Sequence, residues 1–254
     1  MKLDKRLENK VAIVTGGNTG IGRATSLRLA AEGADVVITG RGFDDSKKVA
    51  AEVEALGRKA LPIKMDVAIF ADAQRMTQET LDRFGQIDIL CNIAGGPEPE
   101  ETPFYDKKEE VWNRVIAVNL IGQLNCVRAV IHHMMGRRYG KILNMASASG
   151  LLGLANMTDY AAAKGGVIAF TMSLAKEVAE YNINVNAVSP GTVMTRGLEM
   201  FPNRWEEFNR LSGMGRVGTP DEIAALIAYL VSDEAGYVTG QNYPICGLWN
   251  LGRV

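Results

Sequence analysis

The stretch "VAIVTGGNTGIGRATSLRLAAEG" (11–33) joins a strand-like run to a helix-like run through a glycine-rich turn. The β-branched residues of "VAIVTG" predict a buried strand, and the apolar residues after the turn recur at helical intervals. Gly16 permits a tight turn, while Gly20 and Gly22 let the backbone and the new helix approach a pyrophosphate closely. This strand–turn–helix context is the one that a nucleotide-binding fingerprint requires.

The alternation of strand and helix continues along the rest of the chain. Further strand-like runs occupy residues 34–40, 60–67, 87–95, 140–147, 183–190 and 241–247. Several are apolar almost throughout, which is typical of parallel strands covered by helices on both faces. Because no linker, repeat or low-complexity segment divides the sequence, we expect residues 1–254 to form one α/β domain with a doubly wound parallel sheet.

Composition excludes several classes of protein. The 254 residues are 47% hydrophobic and carry 28 basic and 29 acidic side chains, so no basic excess favours nucleic-acid binding. No apolar run approaches the roughly 18 residues of a membrane span, and the charged N-terminus is unlike a signal peptide. Cys91, Cys126 and Cys246 are far apart, and adjacent His132 and His133 lack partners at ligand spacing. We expect a cytoplasmic protein without a metal site.

Two irregular segments, 95–104 and 191–218, each follow a strand. Ligands bind at the carboxyl ends of strands in open α/β sheets, so these segments are candidate walls of a substrate pocket. An ordinary surface loop is the alternative for the first segment, whereas the second carries large apolar residues unsuited to a solvated loop. The expected apolar lining, beside Ser147, consists of Leu151, Leu152, Met157, Met194, Leu198, Phe201 and Trp205.

The end of the second strand bears on the cofactor. In the dinucleotide pattern an acidic residue there binds the adenosine ribose 2′-hydroxyl. This chain has "ITGRG", with Gly40 and Arg41 in its place. Because an arginine binds a 2′-phosphate through paired, charge-assisted hydrogen bonds, the sequence favours NADP(H), with NAD(H) as the alternative. Against this, Arg41 could stack on adenine or face solvent, and Thr19 supplies no second basic residue in the glycine loop.

The pair Tyr160 and Lys164 in "YAAAK" would leave one face of a helix about one turn apart. Taken alone, this pair is more often a solvated helix face than a site. It occurs, however, in order with "TGGNTGIG" (15–22), "CNIAG" (91–95), Asn119 in "VNL", Ser147 in "NMASASG", and "SPGTVMT" (189–195). Over about residues 7–247 the chain resembles the short-chain dehydrogenase/reductase family.

This resemblance implies a Rossmann-type domain with a seven-stranded parallel sheet, a nicotinamide cofactor, and hydride exchange between a secondary alcohol and a ketone. It implies a catalytic group of Asn119, Ser147, Tyr160 and Lys164. The cofactor contacts that it implies are Gly16, Asn18, Thr19, Gly20, Ile21, Gly22, Arg41, Asp66, Val67, Asn92, Ala94, Gly95, Tyr160, Lys164, Pro190, Gly191, Val193 and Thr195. It also suggests a homotetramer formed through the long apolar helices.

The chemistry explains why these residue types are needed. Reduction of a ketone requires a proton at its oxygen, and Tyr160 suits this role if its pKa of about 10 is brought toward neutrality. Lys164 and an oxidised nicotinamide ring would both favour the phenolate. Ser147 can donate a hydrogen bond to the substrate oxygen, and Asn119 can hold a water that relays the proton. Alternatively, Ser147 is a turn residue that Ser149 resembles, and Asn119 is a buried polar group in a bent helix.

The first functional hypothesis is therefore an NAD(P)-dependent oxidoreductase for a small lipophilic, cyclic or aromatic alcohol or ketone. A 3-oxoacyl thioester is an alternative substrate, although the acidic stretch "PEPEE" (97–101) argues mildly against an acidic carrier protein as partner. A Rossmann protein that senses the cofactor without turnover is the alternative from another class. The presence of Tyr160 and Lys164 together with Ser147 argues against it.

Overall fold

The fold is built on one parallel sheet. A computed structural model of the protein describes residues 5–97, 102–195, 198 and 205–249. Its seven strands are β1 (Val11–Thr15), β2 (Asp35–Gly40), β3 (Ala60–Lys64), β4 (Ile89–Asn92), β5 (Gly140–Met145), β6 (Ile183–Pro190) and β7 (Asn242–Ile245). They lie in the order β3-β2-β1-β4-β5-β6-β7, and each neighbouring pair is parallel. The predicted α/β doubly wound sheet is confirmed.

Helices cover both faces of this sheet. They are α1 (Gly20–Ala31), α2 (Phe43–Ala55), α3 (Phe70–Phe84), α4 (Glu109–Ile116), α5 (Gly122–Arg137), α6 (Ser149–Leu152), α7 (Thr158–Val178), α8 (Trp205–Leu211) and α9 (Pro220–Leu230). Ala12 and Val14 of β1 pack in a core cluster with α1, α2 and α9, whereas Ile13 packs in a second cluster with α3, α5 and α7. The alternation of side chains along buried strands thus gives each face its own core.

The direction of winding reverses between β1 and β4. β1 pairs with β2 on one side and with β4 on the other, so the chain leaves these two strands toward opposite edges of the sheet. The Thr15 hydroxyl oxygen, at the end of β1, accepts hydrogen bonds from the N–H groups of Ile93 (3.0 Å) and Ala94 (3.2 Å). This contact holds the glycine-rich turn against the segment after β4, at the switch point where such sheets bind ligands.

Residues Glu109–Arg137 run as one helix of 29 residues, consisting of α4, a π-helical turn at Ala117–Ile121 and α5. Within the described ranges, it is the helix long and apolar enough by composition to cross a membrane, with a window of mean hydropathy 1.4. The apolar runs of the sequence did not predict this helix. Val130 and Met134 on this helix are fully buried in the core against the sheet, and buried core helices pass the same test.

Gly22 permits α1 to begin directly beside the turn that precedes it. A Cβ at Gly22 would lie 1.9 Å from the carbonyl oxygen of Gly16. Because this neighbour is backbone, we expect Gly22→Ala to lower the free energy of unfolding by about 1–3 kcal/mol, as measured by urea titration. Gly136→Ala, in α5, is the matched control: its Cβ would meet no described atom within 4 Å. It should be neutral or stabilising by up to ~1 kcal/mol, since alanine favours helix. If Gly22→Ala unfolded at the same urea concentration as wild type, the close approach of Gly22 to the Gly16 carbonyl would be contradicted.

Candidate active site

A cleft of about 870 Å³ opens at the carboxyl ends of the strands. Its walls include most of the predicted cofactor and catalytic residues, namely Gly16, Asn18, Thr19, Gly20, Ile21, Gly22, Arg41, Asp66, Val67, Ala94, Gly95, Asn119, Ser147, Tyr160, Lys164, Pro190, Val193 and Thr195. Two predicted residues lie behind the walls: Asn92 is fully buried in β4, and Gly191 packs against Cys246. Residues from six strand ends, those of β1 to β6, therefore meet in one place, although they are dispersed in sequence.

The glycine-rich turn forms one wall of the cleft. Helix α1 begins at Gly20, its N-cap residue Thr19 makes no side-chain capping bond, and its first turn contains no acidic residue. The N–H groups and the positive end of the helix dipole are therefore available to an anion. A Cβ at Gly16 would lie 2.8 Å from Cα of Ala94, so a side chain there would collide with the segment after β4. These features and the cleft volume fit a dinucleotide, since ligand sites span roughly 300–1,000 Å³.

The cleft wall beside the glycine-rich turn, at the ends of β2 and β3, is charged. Arg41 is exposed at the end of β2, and Nη2 of Arg114 lies 2.7 Å from Oδ2 of Asp66. Desolvation raises the pKa of Asp66, but hydrogen bonds from Arg114 and Ala68 and the nearby charge of Arg41 outweigh it and hold that pKa below its ordinary value. Arg114 was not predicted, because it lies on α4, outside every motif, and reaches the cleft only through the fold.

Lys164 is the buried centre of the candidate catalytic group. Its side chain is 1% exposed, and Nζ donates a 2.7 Å hydrogen bond to the carbonyl oxygen of Met145, at the end of β5. The same Nζ lies 5.6 Å from the ring centroid of Tyr160. Two residues beyond Met145, Ser147 lines the cleft, whereas Ser149 is buried and donates a 2.9 Å bond to the Ser147 hydroxyl oxygen. Ser147 is therefore the serine that faces the cleft.

The protonation of this group differs from the expectation. Burial raises the pKa of Tyr160 to about 12, and the hydrogen bond with Ser147 lowers it only in part. Burial also lowers the pKa of Lys164 to about 7. Desolvation disfavours the charged form of both groups. In the protein without cofactor, Lys164 therefore does not lower the pKa of Tyr160 toward neutral pH. The protein keeps a neutral phenol beside an amine that titrates near pH 7, and a neutral phenol can donate a proton.

Asn119 lies in the π-helical turn, and its side chain is hydrogen-bonded to the segment after β4. Its Nδ2 donates to the carbonyl oxygens of Gly96 (2.9 Å) and Val115 (3.0 Å), and its Oδ1 accepts from the N–H of Gly96 (2.9 Å). A side chain at Gly95, whose φ is 140°, would collide with that oxygen at 2.4 Å. Asn119 thus satisfies a widened helical turn and also lines the cleft, and π turns frequently occur at functional sites.

A buried polar network supports the catalytic group from behind. Gln123 Nε2 donates to the Met145 carbonyl oxygen at 2.9 Å, so this oxygen is shared with Lys164. Asn92 Nδ2 donates to Oδ1 of Asn144 at 3.0 Å, and Asn144 Nδ2 donates to the Thr171 hydroxyl at 3.0 Å. The network ties β4 and β5 to α5 and α7. Gln123, Asn144 and Thr171 were not predicted, since buried polar residues on strands and helices carry no local signal.

The apolar lining of the substrate pocket stays a prediction, because part of it lies outside the described residues. Leu151 and Leu152 are 42% and 52% exposed on the one-turn helix α6 and do not line the cleft, because they lie on its solvent-facing surface. The partly buried Met157 and Met194 and the buried Leu198 also lie outside the cleft walls. Phe201 falls outside the described residues, and Trp205 is described only as the first residue of α8.

The two ends of segment 191–218 are hydrogen-bonded to each other. Gly218 donates from its N–H to the carbonyl oxygen of Thr192 (2.9 Å), and Met194 donates to that of Gly218 (2.9 Å). The far part of the segment contacts the C-terminal region, where the Gly247 carbonyl oxygen accepts from Met214 N–H (3.2 Å) and the Ser212 hydroxyl (3.0 Å). The segment therefore leaves the sheet and returns to it beside Val193, at the edge of the cleft.

The fold and this cleft define a Rossmann-type protein with a tyrosine–lysine–serine group beside a dinucleotide cradle. A family model described as Enoyl-(Acyl carrier protein) reductase matches residues 16–247. The chain is 39% identical over 244 residues to 3-oxoacyl-[acyl-carrier-protein] reductase FabG of Thermotoga maritima, covering 95% of this chain and 98% of the relative. It is 34% identical over 247 residues to cyclohexanol dehydrogenase of Acinetobacter sp., covering 97% of each.

A solved structure gives the same result. The crystal structure of levodione reductase matches with a TM-score of 0.92 and 31% sequence identity, covering 97% of this chain and 100% of that one. The chain belongs to the short-chain dehydrogenase/reductase family. It is an oxidoreductase of the alcohol dehydrogenase and ketoreductase kind that uses NAD(P)(H).

The lowered pKa of Lys164 predicts how stability changes with pH. Its pKa is about 7 in the folded protein and 10.5 ordinarily, so between these values the unfolded chain binds more protons. Stability contributed by this group therefore rises with pH from about 7 to about 10. We expect urea titrations at pH 7 and pH 9 to show this rise in wild type and not in Lys164→Met. Lys176→Met, an exposed lysine of the same helix, should keep the wild-type slope. Equal slopes in wild type and Lys164→Met would refute the lowered pKa.

Proposed function

We propose that this protein interconverts a small cyclic or aromatic secondary alcohol and its ketone by hydride transfer, with the whole chain acting as one domain. The observation that carries the proposal is the convergence of Tyr160, Lys164 and Ser147 at one end of a glycine-lined dinucleotide cleft. The names of two similar proteins, cyclohexanol dehydrogenase and levodione reductase, support a carbocyclic substrate.

In the direction of reduction, the hydride would come from a nicotinamide cofactor held in this cleft. The neutral Tyr160 hydroxyl donates its proton to the substrate oxygen, and the Ser147 hydroxyl donates a hydrogen bond to that oxygen as negative charge develops on it. Lys164 is held by the Met145 carbonyl oxygen beside the tyrosine ring, so its ammonium form favours the phenolate left after proton transfer. Asn119 keeps the Gly95–Gly96 backbone at the cleft wall.

For the cofactor we favour NADP(H) over NAD(H). Arg41 lines the cleft wall, and in the sequence it takes the place of the acidic residue of the NAD pattern, which supports binding of a 2′-phosphate. Asp66 in the same wall would repel a phosphate, but its carboxylate is paired with Arg114. Arg41 and Arg114 together carry two positive charges near the single carboxylate of Asp66, which favours a phosphate dianion.

A 3-oxoacyl thioester is the second candidate substrate, because the similar reductase of Thermotoga maritima is named for an acyl-carrier-protein substrate. A homotetramer is the assembly we favour. Ile121 in the π-helical turn and Met172 in α7 are 41% and 44% exposed, and these apolar side chains lie on the two long helices expected to meet a second copy.

The acid–base role of Tyr160 is tested by following NADPH oxidation with cyclic ketones, aryl ketones and an acetoacetyl thioester. We expect Tyr160→Phe to lower kcat by about 10²–10⁴-fold on the preferred substrate, because the proton donor is removed. Tyr237→Phe, a fully exposed tyrosine, is the matched control and should retain wild-type activity. Substantial turnover by Tyr160→Phe would refute the mechanism, and preference for the thioester would select the second candidate substrate.

The cofactor preference is tested separately. We expect Arg41→Ala to raise KM for NADPH by about 10- to 100-fold and to leave KM for NADH nearly unchanged, since hydrogen bonds to charged groups contribute about 1.5–3 kcal/mol. Arg23→Ala is the control, because Arg23 pairs with Glu52 away from the cleft walls. A wild-type preference for NADH would overturn the assignment.

A further inference from the structure

The first turn of α7, which carries Tyr160, is stabilised by few hydrogen bonds within the helix itself. Helix α7 begins at Thr158, and its N-cap residue Met157 makes no side-chain capping bond. Its backbone ladder starts with the N–H of Ala161 donating to the Met157 carbonyl oxygen at 2.9 Å. Uncapped helix ends fray, and Tyr160 is only the third residue of the helix. The position of the phenol therefore depends on contacts from outside the helix.

Lys107 provides such a contact. Its Nζ donates a 2.7 Å hydrogen bond to Oδ1 of Asp159 and a 3.2 Å bond to the carbonyl oxygen of Asn156. Asn156 adopts a left-handed conformation with φ of 66°, in the turn just before the helix. One ammonium group thus joins the entry turn to the residue next to Tyr160. Lys107 comes from the connection between β4 and α4, far from α7 in sequence.

This ion pair is buried, and its burial suggests a purpose other than stability. The side chains of Lys107 and Asp159 are each 3% exposed. Removing two charges from water costs about as much as their attraction returns, so well-packed apolar side chains often stabilise a protein equally. Within the part of the chain that the structure describes, Oδ2 of Asp159 has no hydrogen-bond partner, which adds to the cost. Unlike an apolar contact, the ion pair fixes both the distance and the direction between the two side chains.

The same connection is anchored to the catalytic group at its other end. Asn119 holds Gly96, just after β4, through two hydrogen bonds of 2.9 Å. Lys107, just before α4, holds Asp159, the neighbour of Tyr160. The two described ends of the connection are thus tied to the two sides of the candidate active site. A shift of either end would be transmitted to a residue that faces the cleft.

We propose that Lys107 and Asp159 are positioning residues for Tyr160: their buried ion pair holds the first turn of α7 so that the phenol stays beside Ser147 and Lys164. Neither residue lines the cleft, so each acts through the tyrosine. The proposal rests on the proposed function, in which Tyr160 is the proton donor.

The test is Lys107→Met, which removes the ammonium and retains the length of the side chain. We expect kcat to fall about tenfold to hundredfold, since a displacement of about 1 Å can cost this much, with the Kd for NADPH within twofold of wild type. Amide hydrogen exchange should accelerate in residues 158–164 and stay unchanged in α5. The exchange measurement requires neither the true substrate nor turnover.

Two further variants separate positioning from stability. Lys107→Met/Asp159→Leu replaces the ion pair with apolar side chains; it should unfold at a higher urea concentration than Lys107→Met but keep the low kcat. Arg137→Met breaks another ion pair with a buried carboxylate, that of Asp88, remote from the cleft. It should lower stability and leave kcat unchanged. If Lys107→Met does not fold, the double variant decides the outcome.

A kcat within twofold of wild type in Lys107→Met, recovery of kcat in the double variant, or unchanged exchange in residues 158–164 would each overturn the positioning role. Failure of the proposed function looks different. In that case wild type shows no turnover with any ketone, or Tyr160→Phe remains active. If wild type is active, Tyr160→Phe is inactive and Lys107→Met matches wild type, only the positioning role fails.

Discussion

The hydrogen bond from Lys164 to the Met145 carbonyl oxygen is the contact on which the rest of the site depends. It places a buried ammonium at the end of β5 with no carboxylate contributing to its pKa, which burial alone lowers to about 7. A buried cation is costly unless it is hydrogen-bonded, so the strand end has to present its carbonyl at this point. Gln123 donates to the same oxygen and keeps it in place. Tyr160, one helical turn earlier, and Ser147, two residues beyond Met145, take their positions from it.

A second constraint is how the connection between β4 and α4 meets this group. Asn119 interrupts the regular helix with a π turn and uses its amide to hold Gly96. Lys107 enters the turn before α7 and contacts Asp159. Both contacts put polar groups in buried positions where apolar side chains would pack at less cost. Stability alone does not explain these buried polar contacts. A need to position Tyr160 within about an ångström does explain the contact of Lys107.

Much of the fold and the site could be predicted from local patterns. The seven apolar runs became the seven strands, and the turn at Gly16–Gly22 opened the first helix, because period and glycine placement are local properties. The side chains of Asn119, Ser147, Tyr160 and Lys164 line one cleft as their motifs indicated. The apolar pocket stays a prediction: Leu151 and Leu152 lie outside the cleft walls, and composition identifies an apolar residue but not the direction in which it points.

Other features depend on contacts between distant parts of the chain. Arg114 reaches Asp66 from 48 residues away, and Lys107 reaches Asp159 from 52 residues away. The raised pKa of Tyr160 also depends on distant parts of the chain, since it results from desolvation by everything packed around the phenol. The parallel sheet, the glycine-rich turn and the chemical groups of the site follow from the amino-acid sequence, because strand period, turn glycines and motif spacing are encoded locally. The pairing of charges, the side chains that face the cleft and the burial of each group follow only from the packed fold, because burial and distance arise when separate elements pack.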